Sequence, residues 1–341
     1  MRYQPILKGR KGEIRALKKL SDRQKQEIHP LIELTPSGTK DEVSTGEFGE
    51  EVRSLALKGT FAIDASSGGP NALSEIGAGF ADGLIPGVGC HPLLVPVIRL
   101  TDSVKALQAA GSVDEAHGAG FCLRFPVVDN DAGEEEMGAR LPGLLEHVGS
   151  GPSDIDLLLD MQAVRSPQRV ESAAESGFRL IDRIAEHGWR SITLAAGAFP
   201  KNLDDVPLGQ ASEFTRYDAL LWNALMYRTK GADMGYADYG VAHPEHTSGR
   251  GIPHPNLRYT HEQSWIAYKR PREVKGIFRS ICEDLVASDI WPGPDFSWGD
   301  RWIHDCATGR GGTGSPTEWR AVATSHHIAT VVDRLTRIGR P

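Results

Sequence analysis

Eight short apolar runs constrain this chain more than any other feature of its 341 residues. They cover residues 3–8, 29–33, 60–64, 93–99, 121–125, 155–160, 191–196 and 235–241, and between them lie helical patterns or Gly/Pro/Asp-rich loops. Runs of strand length alternating with helices indicate repeated βα units on a parallel sheet. Strands covered on both faces read as continuous apolar runs, as Leu93-Leu-Val-Pro-Val-Ile and Leu157-Leu-Leu do. Between the first two runs, Ile14, Leu17 and Leu20 share a helical face. Between the sixth and seventh, residues 170–187 do the same and end at Gly188, a natural helix stop.

The number eight separates two architectures. An open doubly wound sheet shows five or six strands with a Gly-rich turn after the first, and no GxGxxG follows residue 8. The expectation is a TIM-like (β/α)8 barrel over residues 1–287, the alternative being an open sheet in which one or two runs are loops. From about residue 242 the pattern changes: Pro244, Pro253 and Pro255 interrupt it, helical spacing returns over 272–286, a Trp-containing irregular stretch covers 288–315, and a helix closes the chain over 317–335. Residues 288–341 are therefore expected to form a loop-rich, Trp-containing cap packed on the barrel.

Composition narrows the function classes. Hydrophobic residues make up 40% of the chain and charged ones 24%, enough for a core without disulfides or metals. A net charge of −7 argues against a general duplex-coating surface. Cys90, Cys122, Cys282 and Cys306 form no CxxC pair and are expected to be reduced. Residues 1–20 have no apolar leader segment, and no run approaches 18 apolar residues, so a cytoplasmic protein without membrane contact is expected.

The chemistry-bearing signal is where the runs stop. Lys8, Glu33, Asp64, Arg99, Arg124 and Asp160 stand at or beside the carboxyl ends of the first six. In a (β/α)8 barrel that end carries the active site. Alternation puts Val95, Val97 and Arg99 on one face and Ala62 and Asp64 on another, so these charges can enter the mouth. Arg99 and Arg124 suit bidentate binding of a phosphate-containing ligand, with Lys8 as a point charge. Glu33, Asp64 and Asp160 would hold Mg²⁺ or Mn²⁺ or supply a general base. The competing reading is an internal salt-bridge network. His243 and His246 follow the eighth run and are candidates for a metal ligand or an acid/base, the alternative being a loop role without chemistry; the spacing is not HExxH, and Pro244 argues against that reading. Gly309-Arg-Gly-Gly-Thr-Gly-Ser is read as a loop, His326 and His327 as packing or surface residues, and the tryptophans at 265, 291, 298, 302 and 319 as anchors of the tail.

Several separated motifs carry a family resemblance: Tyr3-Gln-Pro-Ile-Leu-Lys-Gly-Arg-Lys-Gly-Glu-Ile-Arg-Ala-Leu, Ile28-His-Pro-Leu-Ile-Glu, Tyr239-Gly-Val-Ala-His-Pro, Phe296-Ser-Trp-Gly-Asp and Trp319-Arg-Ala-Val-Ala-Thr-Ser-His-His-Ile. Over nearly its whole length the chain resembles the phage "beta protein" family. The resemblance implies a phage or phage-defence association and supplies no catalytic residues; its motifs include Lys8, Glu13, Glu33 and the His243 region. Two functions are expected. One is a metal-dependent hydrolase, phosphodiesterase- or nuclease-like, acting on a nucleotide or single-stranded nucleic acid. The other is a non-catalytic sensor in an anti-phage defence system that recognises a phage protein or nucleic acid, with a possible defence-system protein partner.

Overall fold

The computed structural model describes residues 2–35, 48, 51–52, 55, 59–68, 71–81, 92–127, 132–245 and 254–341. Its centre is a closed parallel barrel of eight strands, β1 (Tyr3–Lys8), β2 (Leu31–Glu33), β3 (Thr60–Asp64), β4 (Leu93–Ile98), β5 (Phe121–Pro126), β6 (Ile155–Ala163), β7 (Ser191–Gly197) and β9 (Gly235–Asp238). Each corresponds to one of the eight apolar runs. Parallel pairing of β9 with β1, through Tyr3 opposite Tyr236, closes the ring. The chain is thus a TIM-like (β/α)8 barrel.

Strand alternation builds two separate cores. Inward-facing Ile6, Leu31, Ala62, Val95, Val97, Cys122, Leu158, Ala195 and Ala237 fill the barrel. Outward-facing neighbours such as Leu7, Ile32, Ile63, Leu94, Leu123, Leu159 and Leu194 pack against the helices. Up to Arg228 the helices among the described residues are α1 (Lys11–Lys18), α2 (Asp22–Gln26), α3 (Ala72–Ala81), α4 (Val104–His117), α5 (Ala132–Val148), α6 (Pro167–Ile184) and α7 (Tyr217–Arg228). A 3-10 turn continues α6 to His187, and Gly188 ends it at φ 72°.

Two stretches differ from the sequence expectation. Residues 242–271, read as irregular, contain the hairpin β10 (Asn256–His261) and β11 (Ser264–Lys269), to which β8 (Ala211–Thr215) pairs antiparallel as a three-stranded sheet outside the barrel. The helix expected over 272–286 begins only at Phe278, as α8 (Phe278–Val286), and residues 298–307 form α9 (Trp298–Ala307). A third core joins this sheet to α8, α9 and α10 (Pro316–Ile338), with Trp265 buried and Trp291, Trp298, Trp302 and Trp319 packed against it. His326 and His327 are buried there: His326 lies 2.9 Å from Asp300 and 2.8 Å from the Thr260 carbonyl, and His327 lies 2.9 Å from Asp238. Cys122, Cys282 and Cys306 are free thiols, whereas Cys90 and His246 lie outside the described residues.

Candidate functional site

The site follows from the register of the barrel core. Two residues beyond an inward apolar side chain, strand alternation returns to the same face at the carboxyl mouth. Ile6 leads to Lys8, Leu31 to Glu33, Ala62 to Asp64, Val97 to Arg99, Cys122 to Arg124, Leu158 to Asp160 and Ala237 to Tyr239. Beyond Ala195 comes Gly197, where a Cβ would lie 2.5 Å from the Pro244 ring and 3.0 Å from Tyr239, so no side chain has room.

Arg124 is the hub. Its Nε and Nη2 donate to Asp160 at 2.9 and 2.7 Å, Nη1 donates to Glu33 at 2.6 Å and Asp64 at 2.7 Å, and Nη2 also donates to the Tyr239 hydroxyl at 2.6 Å. Those bonds use all five N–H groups of a guanidinium. Tyr239 donates in turn to Asp160 at 2.6 Å. Lys8 pairs with Glu33 and donates to the Pro244 carbonyl at 2.6 Å, and Arg99 pairs with Asp64. Ser66 donates to Asp64 through its hydroxyl at 2.7 Å and its backbone N–H at 3.2 Å. Lys8 is 3% exposed, Asp64 2% and Asp160 0%, so the network lies in low dielectric. Three cations balance three carboxylates.

Electrostatics fixes the protonation states. Burial pushes Asp64 upward, but Arg99 and Arg124 outweigh it and hold the carboxyl well below its ordinary range. Burial and the adjacent Asp160 drive Tyr239 well above the usual phenol range, so it remains a donor. Burial pulls Arg124 down, but Tyr239, Asp160 and Glu33 outweigh it and leave the guanidinium charged.

Backbone strain is placed here as well. Gln162, a non-glycine at φ 56°, donates to Asp160 from its backbone N–H at 2.9 Å and from its side chain at 2.7 Å, beside a register shift in β6 between Asp160 and Ala163. Such conformations persist where the surroundings over-determine them, often at functional sites.

Above the network opens a cavity of about 210 Å³ whose walls include Glu33, Asp64, Ser66, Arg99, Arg124, Asp160 and Gln162. Of the expected site residues, Lys8 is not part of this wall but is bonded to Glu33 and Pro244, which are, and His243 is buried outside it, its Nδ1 accepting from the Glu245 backbone N–H at 3.1 Å. Burial lowers the His243 pKa. Sequence reasoning passed over Tyr239, Ser66 and Gln162, although Tyr239 opens one of the family motifs.

Two roles expected from the sequence meet internal partners here. Glu33, Asp64 and Asp160 would have held Mg²⁺ or Mn²⁺, but the guanidinium of Arg124 takes the central cation position. Among the described residues no three His, Cys, Asp or Glu side chains are grouped to hold a metal ion. Arg124 was to grip phosphate, yet its donors are all spent internally. Arg99 is different: its side chain is 25% exposed, and among the described residues its guanidinium has Asp64 alone as a hydrogen-bond partner.

Fold and site together define a (β/α)8 barrel protein with a charge-balanced pocket at the carboxyl ends of its strands. The chain belongs to the Beta protein family, whose model matches residues 3–333. It is 24% identical over 342 residues to Protein beta of Enterobacteria phage P4, covering 96% of this chain and 91% of that one. A crystal structure of triosephosphate isomerase from Bartonella henselae is similar with a TM-score of 0.30 and 10% identity, over 70% of this chain and 92% of that one. The barrel rests on its own strand order and not on that likeness.

Proposed function

We propose that the barrel mouth recognises a small phosphate-bearing ligand, a nucleotide or the end of a single-stranded nucleic acid, without a metal ion and without transforming it. The observation that carries this reading is the difference between the two arginines. Arg124 is saturated by Glu33, Asp64, Asp160 and Tyr239, while Arg99 borders the cavity with donors to spare. A guanidinium fork in a partly desolvated pocket is well matched to phosphate oxygens, and Ser66 and Gln162 add polar groups to the same wall.

The saturation of the carboxylates favours recognition over hydrolysis. A general base must reach the proton it removes, and Asp64 and Asp160 already accept several hydrogen bonds each. A volume of about 210 Å³ is small beside ordinary ligand pockets, which points to a terminal group or mononucleotide.

Calorimetric titration of nucleoside monophosphates into wild type and Arg99→Gln tests the reading. We expect binding in wild type and a loss of about tenfold or more in the variant, the scale of one charge-assisted hydrogen bond. Equal affinities would rule out Arg99, and with it the mouth, as the binding site. Use of the site as a sensor in phage defence is a further proposal from the family, tested by whether Arg99→Gln abolishes plaque protection in cells; retained protection would count against it.

A further inference from the structure

A second cavity, of about 100 Å³, lies beside the loop after β9, with Val241, Asn256, Arg258, Pro316, Trp319 and Arg320 in its wall. Two guanidinium groups, Arg258 and Arg320, stand in that wall with no carboxylate beside them in it. Arg258, on β10, lies 4.7 Å from the Phe199 ring centre and donates to the Val241 carbonyl at 2.5 Å. Its other N–H groups have no hydrogen-bond partner among the described residues. Arg320, on α10, approaches Glu13 at 3.6 Å, too far for a hydrogen bond.

Arg10 adds a third positive charge that acts on both Arg258 and Glu13. Of the two guanidinium groups in the cavity wall, Arg258 has Glu13 as the carboxylate that acts on it among the described residues. Glu13 is 2% exposed, and its Oε2 has no hydrogen-bond partner. Burial pulls Arg258 down to about 9, with Arg320 and Arg10 acting in the same direction against Glu13. Arg258 and Arg320 are both half-buried, and an anion entering between two partly desolvated guanidinium groups gains from each.

We propose that this cavity is a phosphate-binding site, in which Arg258 and Arg320 hold one phosphate group, either inorganic phosphate or a phosphate of a nucleic-acid backbone. The volume admits a group of that size but no base beside it. Trp319 supplies a wall and no donor, because its Nε1–H is already bonded to the Thr313 carbonyl at 2.7 Å. The opening lies by Pro316, which is exposed, and Asn256, which is half-buried. Family motifs contribute Glu13, Arg10, Trp319 and Arg320, none of which the barrel mouth uses.

The test is calorimetric titration of the full chain with inorganic phosphate against a chloride background of matched ionic strength, and with a 5′-phosphorylated dinucleotide. In Arg320→Gln phosphate affinity should fall about tenfold, the loss of one charge-assisted hydrogen bond. Glu13→Gln removes the competing carboxylate while keeping its shape, so affinity should rise in that variant. Arg99→Gln, which alters the barrel mouth, separates the two sites: phosphate binding that survives it belongs to this cavity. Tighter binding of the dinucleotide that is lost in Arg320→Gln identifies backbone phosphate as the source, and equal or weaker binding identifies the free anion. The proposal is overturned if phosphate does not bind, if Arg320→Gln and Glu13→Gln leave its affinity unchanged, or if Arg99→Gln abolishes it. The last outcome would leave the barrel-mouth reading intact and move the phosphate there.

Discussion

At the scale of single residues, Arg124 shows how a charged group can terminate a strand for reasons the sequence does not display. A strand-end arginine reads the same whether it faces a ligand or three carboxylates, and the residues that decide it, Glu33, Asp64 and Asp160, come from three other strands. The position of the charges was legible, with an internal salt-bridge network as the competing reading; the choice of partners around Arg124 was not. Tyr239 escaped notice because an aromatic at the end of an apolar run looks like core. Ion networks of this depth are weak sources of stability, since desolvation costs each ion several kcal/mol. Removing one partner is another matter. Arg124→Met should destabilise the protein by about 3–5 kcal/mol because three buried carboxylates lose their common cation. Tyr239→Phe should cost about 1–3 kcal/mol by leaving Asp160 and Arg124 each one hydrogen bond short. Urea unfolding of both variants checks the order; an Arg124→Met protein as stable as wild type would show that the network is not the buried hub described.

At the scale of elements, the barrel strands were readable because parallel strands covered on both sides leave apolar runs. The outer sheet was not. β8 alternates between exposed and half-buried residues, with little apolar signal. The turn between β10 and β11 passes through Glu262 at φ 40° with none of the Asn-Gly or Asp-Gly pairs that announce a hairpin. The tail's attachment depends on close helix approaches that only three dimensions reveal. A Cβ on Gly299, in α9, would lie 2.4 Å from the Val322 carbonyl of α10, and one on Gly12, in α1, would lie 2.7 Å from the Thr317 carbonyl. Backbone atoms cannot step aside as side chains do, so Gly299→Ala should destabilise by about 1–3 kcal/mol. Gly143→Ala, within the helix Ala132–Val148 and with nothing within 4 Å, should stabilise by up to about 1 kcal/mol. Thermal melts of the pair test this; the same sign in both would contradict the packing argument.

At the scale of the whole molecule, no helix among the described residues is long and apolar enough to cross a membrane. The amino-terminal mouth of the barrel gives the protein a definite response to pH. At the amino-terminal mouth, burial and the neighbouring Arg2 lower His29 to about 4. The unfolded chain therefore takes up this proton first, and the stability from neutral His29 is present above about pH 6.5 and lost as pH falls toward 4. Burial pushes Asp156 up, but Arg190 and Arg2 prevail and hold it at about 2. Its contribution is present above the unfolded carboxyl range near 4 and lost as pH falls toward 2. Melting temperature should thus fall in two stages on acidification, and His29→Gln should flatten the first; a profile in which that variant changes nothing between pH 7 and 5 would refute the assignment.

The central claim is that a guanidinium, and not a metal ion, organises the carboxylates at the barrel mouth and leaves Arg99 to take a phosphate-bearing ligand. Titration of wild type with a nucleoside monophosphate in EDTA and again in Mg²⁺ tests this most directly. The same affinity is expected in both. Binding that appears only with Mg²⁺, or strengthens about tenfold with it, would mean that Arg124 yields its place to a cation, and a metal-dependent site would replace metal-free recognition by Arg99.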